Sequence, residues 1–330
     1  MSTNKATARA FSNIALVKYW GKGDKKLRLP VNSSLAITLN SIFTTTTVEF
    51  SNSLNKDQIT IDGDTFDEKE TQRVSQHLDR VRKLAGITTY AKVATKNNFP
   101  KAVGAASSAS GFAALSVAAA AAADLKLSEK ELSILSRQGS GSASRSIPGG
   151  VTVWHKGNSS QTSFAEQIDF PQDWDVDVLL VFVGEMKQKK ISSTEGMARA
   201  QTSPYYQTAV EEGEKNITRL QKSFAQKDWQ KFGQIIEAEV FRLHLLCMSS
   251  IPHILYWQGA TVEVFQKLIA LRDQDIYGFF TVDAGPHVHV ICRKNDTKKI
   301  MTELEKIPEV TKIVKCGVGG AAKLKEEHLF

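Results

Sequence analysis

Residues 97–123 read NNFPKAVGAASSASGFAALSVAAAAAA, and the architecture depends on what this stretch becomes. It opens with loop formers, passes through Pro100 and Gly104, meets adjacent hydroxyls at Ser107 and Ser108, and continues as a run of small residues. Pro and Gly interrupt regular structure whereas Ala is the best helix former, so the pattern predicts a loop feeding a helix. The first N–H groups of a helix lack partners within it, and the macrodipole places partial positive charge at that end. A loop aimed there, with Lys101 and the serine hydroxyls adding charge and donors, makes a phosphate cradle. A buried, tightly packed helix with an ordinary serine cap would use the same residues, and the stretch alone leaves both readings open.

The surrounding chain of 330 residues could form one large domain but fits two lobes better. A hydrophobic content of 42% supports packed cores rather than disorder. No apolar run reaches the roughly 20 residues of a membrane-spanning helix, and the opening MSTNKATARAFSN lacks an apolar signal-peptide core. The expectation is a soluble, cytoplasmic protein. Cys247, Cys292 and Cys316 are widely spaced and form no CxxC pattern, which suits reduced packing thiols. His287 and His289 would share one face of a strand, half of a metal site with no third ligand evident. The formal charge is +7, with basic residues scattered among acids and KQKK at 187–190 the densest cluster. Nucleic acid and an anionic small molecule would each use such charge, so charge alone does not separate them.

Phe11 to Lys22, FSNIALVKYWGK, begins as a strand and ends in a turn at Gly21. Lys18, Tyr19, Trp20 and Lys22 crowd two ammonium groups and two aromatic rings together, either beside a polyanion or as a solvated strand end. LPVNSSLAITL at 29–39 gives a turn and then a strand, Thr44 to Phe50 another strand, and Lys56 to Asp67 a polar hairpin around Asp62-Gly63. Helical spacing runs over 70–84, and Thr89 to Thr95 reads as a strand. Ser128 and Glu131 form a capping-box pattern for a helix to about Arg137.

GSGSASRSIPGG at 139–150 is too rich in Gly and Ser for a regular element. Arg145 within it is able to grip two phosphate oxygens, or the segment is simply a surface loop. A lobe boundary is expected near Ser163–Asp173, followed by a largely buried strand at 176–183. ISSTEG at 191–196 starts a helix, and long helical patterns follow at about 205–226, 228–247 and 260–272. In the second, Trp229, Phe232, Ile236, Val240, Leu243 and Cys247 mark a core-facing stripe. Strands at 278–283 and 288–293 are joined by DAGPH, placing Asp283 at a strand end that either faces a cleft or merely makes a turn. A helix at 296–307, a strand at 311–316 and the closing loop GVGGAA complete the pattern.

Taken together, these segments resemble the GHMP kinase superfamily and, within it, the mevalonate diphosphate decarboxylase family. NIALVKYWGK at 13–22, LPVNSSLAITL, PKAVGAASSAS at 100–110, GSGSASRS at 139–146, ISSTEGM at 191–197 and VDAGPHVH at 282–289 follow the family's motif order over nearly the full length. The resemblance implies an α+β, two-lobed GHMP kinase fold. Its N-terminal lobe (1–172) would resemble the second domain of ribosomal protein S5, its C-terminal lobe (173–330) a ferredoxin, with a cleft between them. It also implies a homodimer.

The implied reaction is ATP-dependent decarboxylation of (R)-5-diphosphomevalonate to isopentenyl diphosphate, with a phosphomevalonate decarboxylase or a mevalonate 3-kinase as alternatives. By that resemblance Asp283 and Lys18 are catalytic. Tyr19, Trp20, Gly21, Lys22, Lys69, Ser140, Gly141, Ser142, Ala143, Ser144, Arg145, Ser193 and Thr194 hold the substrate. Lys101, Gly104, Ala105, Ala106, Ser107, Ser108 and Ser110 hold ATP, and Ser107 also its Mg²⁺. Lys101, Val103 and Ala105 stand where the family commonly has Thr, Ala and Leu, and SIPGG lacks the usual aromatic before its glycines. A nucleic-acid-binding module is the alternative from another class.

Overall fold

The structure, a computed structural model, describes residues 4–24, 26–65, 67–99, 107–171, 174–185 and 191–330. The chain begins with β1 (Lys5–Val17), a small hairpin of β2 (Lys22–Asp24) and β3 (Leu29–Pro30), and the long β4 (Ser34–Ser51). A second hairpin, β5 (Gln58–Ile61) and β6 (Asp64–Thr65), precedes helix α1 (Glu68–Ala85) and β7 (Tyr90–Asn97). Helices α2 (Ser107–Ala122) and α3 (Glu129–Gly139) are followed by a 3₁₀ segment, Gly141–Ser146, and by β8 (Val151–Trp154) and β9 (Ala165–Gln167).

The second half starts with β10 (Val176–Val183) and continues through α4 (Ser193–Ala200), α5 (Tyr206–Ala225), α6 (Trp229–Met248) and α7 (Gly259–Arg272). It ends with β11 (Gly278–Thr281), β12 (Val288–Arg293), α8 (Lys294–Leu304), β13 (Val310–Cys316) and β14 (Lys323–Lys325).

Two principal sheets organise these elements. The first runs β14-β1-β4-β7-β5-β6, with β8 also paired to β4 and β9 to β8; the second runs β11-β12-β10-β13 and is antiparallel. Their alternating faces explain the cores. Ala8 and Ala10 of β1 and Val48 and Phe50 of β4 lie under α1, α2 and α3, where Phe112, Ala113, Val117 and Leu78 are buried. The Ala-rich helix is buried on most sides because its small side chains let sheet and neighbouring helices approach closely.

On β10, Val178, Leu180 and Phe182 face α5 and α6, whereas Leu179, Val181 and Val183 face α7 and α8. A strand covered on both faces has no polar side to alternate with. The core under α5 and α6 also takes Ile14, Leu16, Leu35, Ile37 and Leu39 from the first sheet, so one apolar layer joins the two halves.

Local signals account for most boundaries. Ser128 caps α3 and Glu131 returns the bond to the Ser128 amide, completing the predicted capping box. Asp62 and Gly63 turn the β5–β6 hairpin with φ of 52° and 91°, a conformation that Asn, Asp and Gly tolerate. Three expectations need correction. The separate strands expected at 29–39 and 44–50 are joined in the 18-residue β4, since β8 continues the ladder at its start and β7 at its end. The glycine-rich segment after Gly139 contains a 3₁₀ helix, and the chain does not close with GVGGAA but returns as β14 along the edge of β1.

Candidate active site

The ends of β1 and β11, strands of different sheets, meet at Lys18 and Asp283. β1 carries a register shift between Ala15 and Val17 where it pairs with β4, and an irregularity of this kind re-aims the residues beside it. Next in the chain is Lys18, whose side chain is fully buried. Its Nζ donates to the Ala15 carbonyl at 2.7 Å, to Thr281 Oγ1 at 2.6 Å and to Asp283 Oδ1 at 2.8 Å. Asp283 follows β11 and keeps 40% of its side-chain surface open.

Burial draws the Lys18 amine below its ordinary pKa of 10.5, against the pull of Asp283 and Glu239. Burial pushes the Asp283 carboxyl up, but the Lys18 ammonium outweighs it, with His289 and Arg145 adding to the effect, and the net direction is down from 3.8. The carboxylate is thus ionised and retains lone pairs that Lys18 does not occupy.

Arg145 lies nearby on the 3₁₀ segment and is only 3% exposed. Its Nε donates to Asn13 Oδ1 at 3.1 Å and its Nη1 to Ser34 Oγ at 2.6 Å. Among the described residues no carboxylate lies within ion-pair distance of it, and burial lowers its pKa to about 10. Tyr19 packs edge-on against Trp154, and its buried hydroxyl has no hydrogen-bond partner among the described residues. Burial raises the phenol's pKa, so it remains a donor. Gly141 is needed beside these rings, because a Cβ there would stand 2.9 Å from the Trp154 ring and 3.0 Å from that of Tyr19.

Several other predicted residues gather around this centre. Lys22 Nζ reaches Thr194 Oγ1 at 3.3 Å, at the start of α4, where Ser193 is half-buried. Trp20 packs against Tyr256, and Gly21 leaves room for the Tyr206 hydroxyl. Ser140 donates to Ser108 at 3.2 Å and lies 3.3 Å from Ser142, linking the 3₁₀ segment to the first turn of α2.

Others are placed differently. Ser110 is fully buried and hydrogen-bonded to the Thr44 hydroxyl at 2.7 Å, so it fastens α2 to the sheet instead of facing a nucleotide. Ala143 is fully buried, and the buried Ser144 hydroxyl donates to the Gly141 carbonyl at 2.8 Å; both build the turn rather than line a pocket. Lys69 is exposed in the first turn of α1 and makes no hydrogen bond or ion pair among the described residues. Lys101, Gly104, Ala105, Ala106 and the KQKK cluster lie outside the described residues, as does the side chain of Ser107. His287 accepts from the Val183 amide at 3.3 Å, and among the described residues no three His, Cys, Asp or Glu side chains are arranged to hold a metal ion.

The sequence reading missed the floor of the site. Glu239 and Arg242 of α6, Asn216 of α5 and Asn32 all bond to the main chain at Lys18 or to one another. His244 of the same helix lies against Trp257 close to the Asp283 main chain, and burial lowers its pKa to about 3. Charged residues beside Val240 and Leu243, in a helix otherwise read as core, were the available signal.

A helix start held beside a serine-rich turn, an acid on the adjoining lobe and two sheets sharing one core define a two-lobed α+β GHMP kinase fold. Residues 10–165 match the diphosphomevalonate decarboxylase-like N-terminal domain, and residues 179–327 the mevalonate 5-diphosphate decarboxylase C-terminal domain. The chain belongs to the diphosphomevalonate decarboxylase family. It is 34% identical to the diphosphomevalonate decarboxylase of Ganoderma lucidum, over 91% of this chain and 81% of that one. The crystal structure of mevalonate diphosphate decarboxylase from Staphylococcus aureus superposes with a TM-score of 0.94 at 35% identity, covering 98% of each chain. The complex of MDDEF with MVAPP, AMPPCP and magnesium gives 0.92 at 39% identity, covering 98% of this chain and 99% of that one.

Proposed function

We propose that this protein catalyses the ATP-dependent decarboxylation of (R)-5-diphosphomevalonate to isopentenyl diphosphate, releasing ADP, phosphate and carbon dioxide. The observation that carries the reading is the 2.8 Å contact between the fully buried Lys18 and the half-open Asp283. Asp283 has an oxygen available to orient or deprotonate the hindered 3-hydroxyl, a poor nucleophile without such help. The hydroxyl oxygen bonds to the γ-phosphorus of ATP as the bond to ADP breaks. The new phosphate then leaves C3 with the C–O electron pair. The bond between the carboxylate and C2 breaks, its electrons form the C2–C3 double bond, and carbon dioxide departs.

The remaining residues divide between two anions. Arg145, the Tyr19 hydroxyl, Lys22, Ser140 and Ser142 hold the diphosphate and carboxylate of the substrate, supported by Trp20, Gly21, Gly141, Ser193 and Thr194. The amides at the start of α2 and Ser108 hold phosphates of ATP, a role suited to the free N–H groups of a first helical turn. Lys101, Gly104, Ala105 and Ala106 are assigned to the same nucleotide. Mg²⁺, with Ser107 as its protein ligand, would screen the phosphate charges. The lobes are taken as 1–172 and 173–330, with β14 returning to the first.

Among the described residues no helix is long and apolar enough to cross a membrane, and we place the enzyme in the cytoplasm. We assign it as a homodimer through an apolar surface of Phe241, Leu245 and Met248 on α6 with Ile251 and Leu255, which are 40–71% exposed. Introducing a charge at Leu245 should yield a monomer by light scattering if this surface is the interface, and an unchanged mass would reject it.

The reaction is tested by offering mevalonate, its 5-phosphate and its 5-diphosphate in turn while ADP, phosphate and carbon dioxide are measured together. Stoichiometric release of all three from the 5-diphosphate is expected. ADP without carbon dioxide would identify a kinase, and preference for the 5-phosphate would overturn the substrate.

A further inference from the structure

Lys18 follows the last residue of β1, where its own N–H and C=O need partners beyond the sheet ladder. Both find them on side chains. The Lys18 amide donates to Glu239 Oε2 at 2.8 Å, and its carbonyl accepts from Asn32 Nδ2 at 3.1 Å and Arg242 Nη2 at 3.0 Å. Glu239 is fully buried and also accepts from Asn216 Nδ2 at 2.8 Å, Arg242 Nε at 2.7 Å and Arg242 Nη2 at 2.5 Å. Arg242 Nη1 is satisfied by the Ala209 carbonyl at 2.8 Å. Gly213 of α5 completes the arrangement, since a Cβ there would stand 2.9 Å from the Arg242 guanidinium and 3.0 Å from Asn32 Nδ2.

A buried ion pair contributes little net stability compared with a packed apolar pair, because desolvation offsets the attraction. Here the pair spans the two main-chain polar groups of one residue and orients them. We propose that Glu239 and Arg242 are positioning residues for the reaction, clamping the Lys18 main chain so that its ammonium is delivered to Asp283. The proposal rests on the decarboxylase reading above and extends it to residues that touch neither substrate. Glu239 is also the second acid acting on the Lys18 amine. Asp283 acts with it and Arg145 against it, while His244 and His289 are the other titratable side chains in range.

Glu239→Gln removes the charge while retaining an acceptor. Gly213→Ala displaces the Arg242 guanidinium while the identities of Lys18, Glu239 and Arg242 stay unchanged. Steady-state kinetics across pH should show kcat down by roughly tenfold or more in Glu239→Gln, with KM for the diphosphate within about twofold. Its alkaline limb should move to lower pH, because loss of a neighbouring anion makes the ammonium easier to deprotonate. A packing defect alone would lower Tm without moving that limb. Gly213→Ala should lower kcat with the limb unmoved.

Wild-type kcat and an unmoved limb in Glu239→Gln would overturn the clamp. If that variant does not fold, wild-type kcat in Gly213→Ala would do the same. Failure of the wild-type enzyme to consume ATP would sink the decarboxylase reading instead. The clamp would then be judged by NMR titration of the Lys18 side chain, whose midpoint falls in Glu239→Gln if the clamp is present and stays put if it is absent.

Discussion

Lys18 and Arg145 are two buried cations that both act on Asp283 and are held in opposite ways. Lys18 has a built-in counter-ion in Asp283 at 2.8 Å and a second acid, Glu239, behind it. Arg145 is almost as deeply buried, yet its bonds go to the neutral oxygens of Asn13 and Ser34. Desolvating a guanidinium without an acid in contact is costly, and its two hydrogen bonds with the attraction of the more distant Asp283 offset that cost only in part. An anionic ligand in contact would add to that offset. The contrast separates a cation paired within the protein from one without an acid in contact, which under the proposed function the substrate would complete.

The sharpest way to break this distinction is Asp283→Ala. Carbon dioxide release should fall by roughly 10³-fold or more, since orientation and proton transfer are lost together, while the protein still folds. Near-normal release in a quenched-flow assay would refute the role of the pair. Arg145→Ala should act on the other side of the comparison, with KM for the diphosphate raised by roughly 10²-fold and kcat changed less. Because no internal ion pair is broken, its Tm should fall less than that of Lys18→Met, which leaves Asp283 without its partner. Calorimetry showing the reverse order would mean that Arg145 is primarily structural.

His77 sharpens the contrast with a third solution, in which a buried base gives up its charge. It is fully buried against Ser116, with Nε2 2.9 Å from the hydroxyl, and burial lowers its pKa from 6.5 to about 3. Between those values the unfolded chain binds a proton that the folded one does not, so stability falls as pH drops from 6.5 towards 3. His77→Leu should weaken that acid dependence in Tm measured against pH. An unchanged slope would exclude His77 as a contributor. The smallest effect is expected at an exposed helix end remote from buried charge. Ser128→Ala should cost about 1 kcal/mol of stability, measured by urea unfolding, with turnover unaltered.

Much of this was legible in the residue pattern because it is local. The capping box at Ser128 and Glu131, the turn at Asp62-Gly63 and the apolar run of β10 depend on neighbours in the chain, and the structure forms all three. Motif order was enough to bring Lys18, Asp283 and Arg145 together as candidates. It did not reveal that Ser110 and Ser144 turn inward, because a serine hydroxyl suits a helix contact as readily as a phosphate. Nor did it disclose the polar side of α6, since Glu239 and Arg242 flank an apolar stripe and would pass as solvated charges.

The order and spacing of residues were enough to specify the elements, the two-lobed architecture and the types of side chain needed for the chemistry. The elements follow from backbone preferences and from the periods of strand and helix, which act over a few residues, whereas the architecture and the site residues came from the resemblance of the ordered motifs to a family. Packing decided which charges are paired, which serines face the cleft, and that β14 returns to the edge of β1. Lys18 and Asp283 are 265 positions apart, and Lys18 and Glu239 are 221 apart. Contacts at such separations arise from the burial of a shared apolar layer, and no local pattern encodes them.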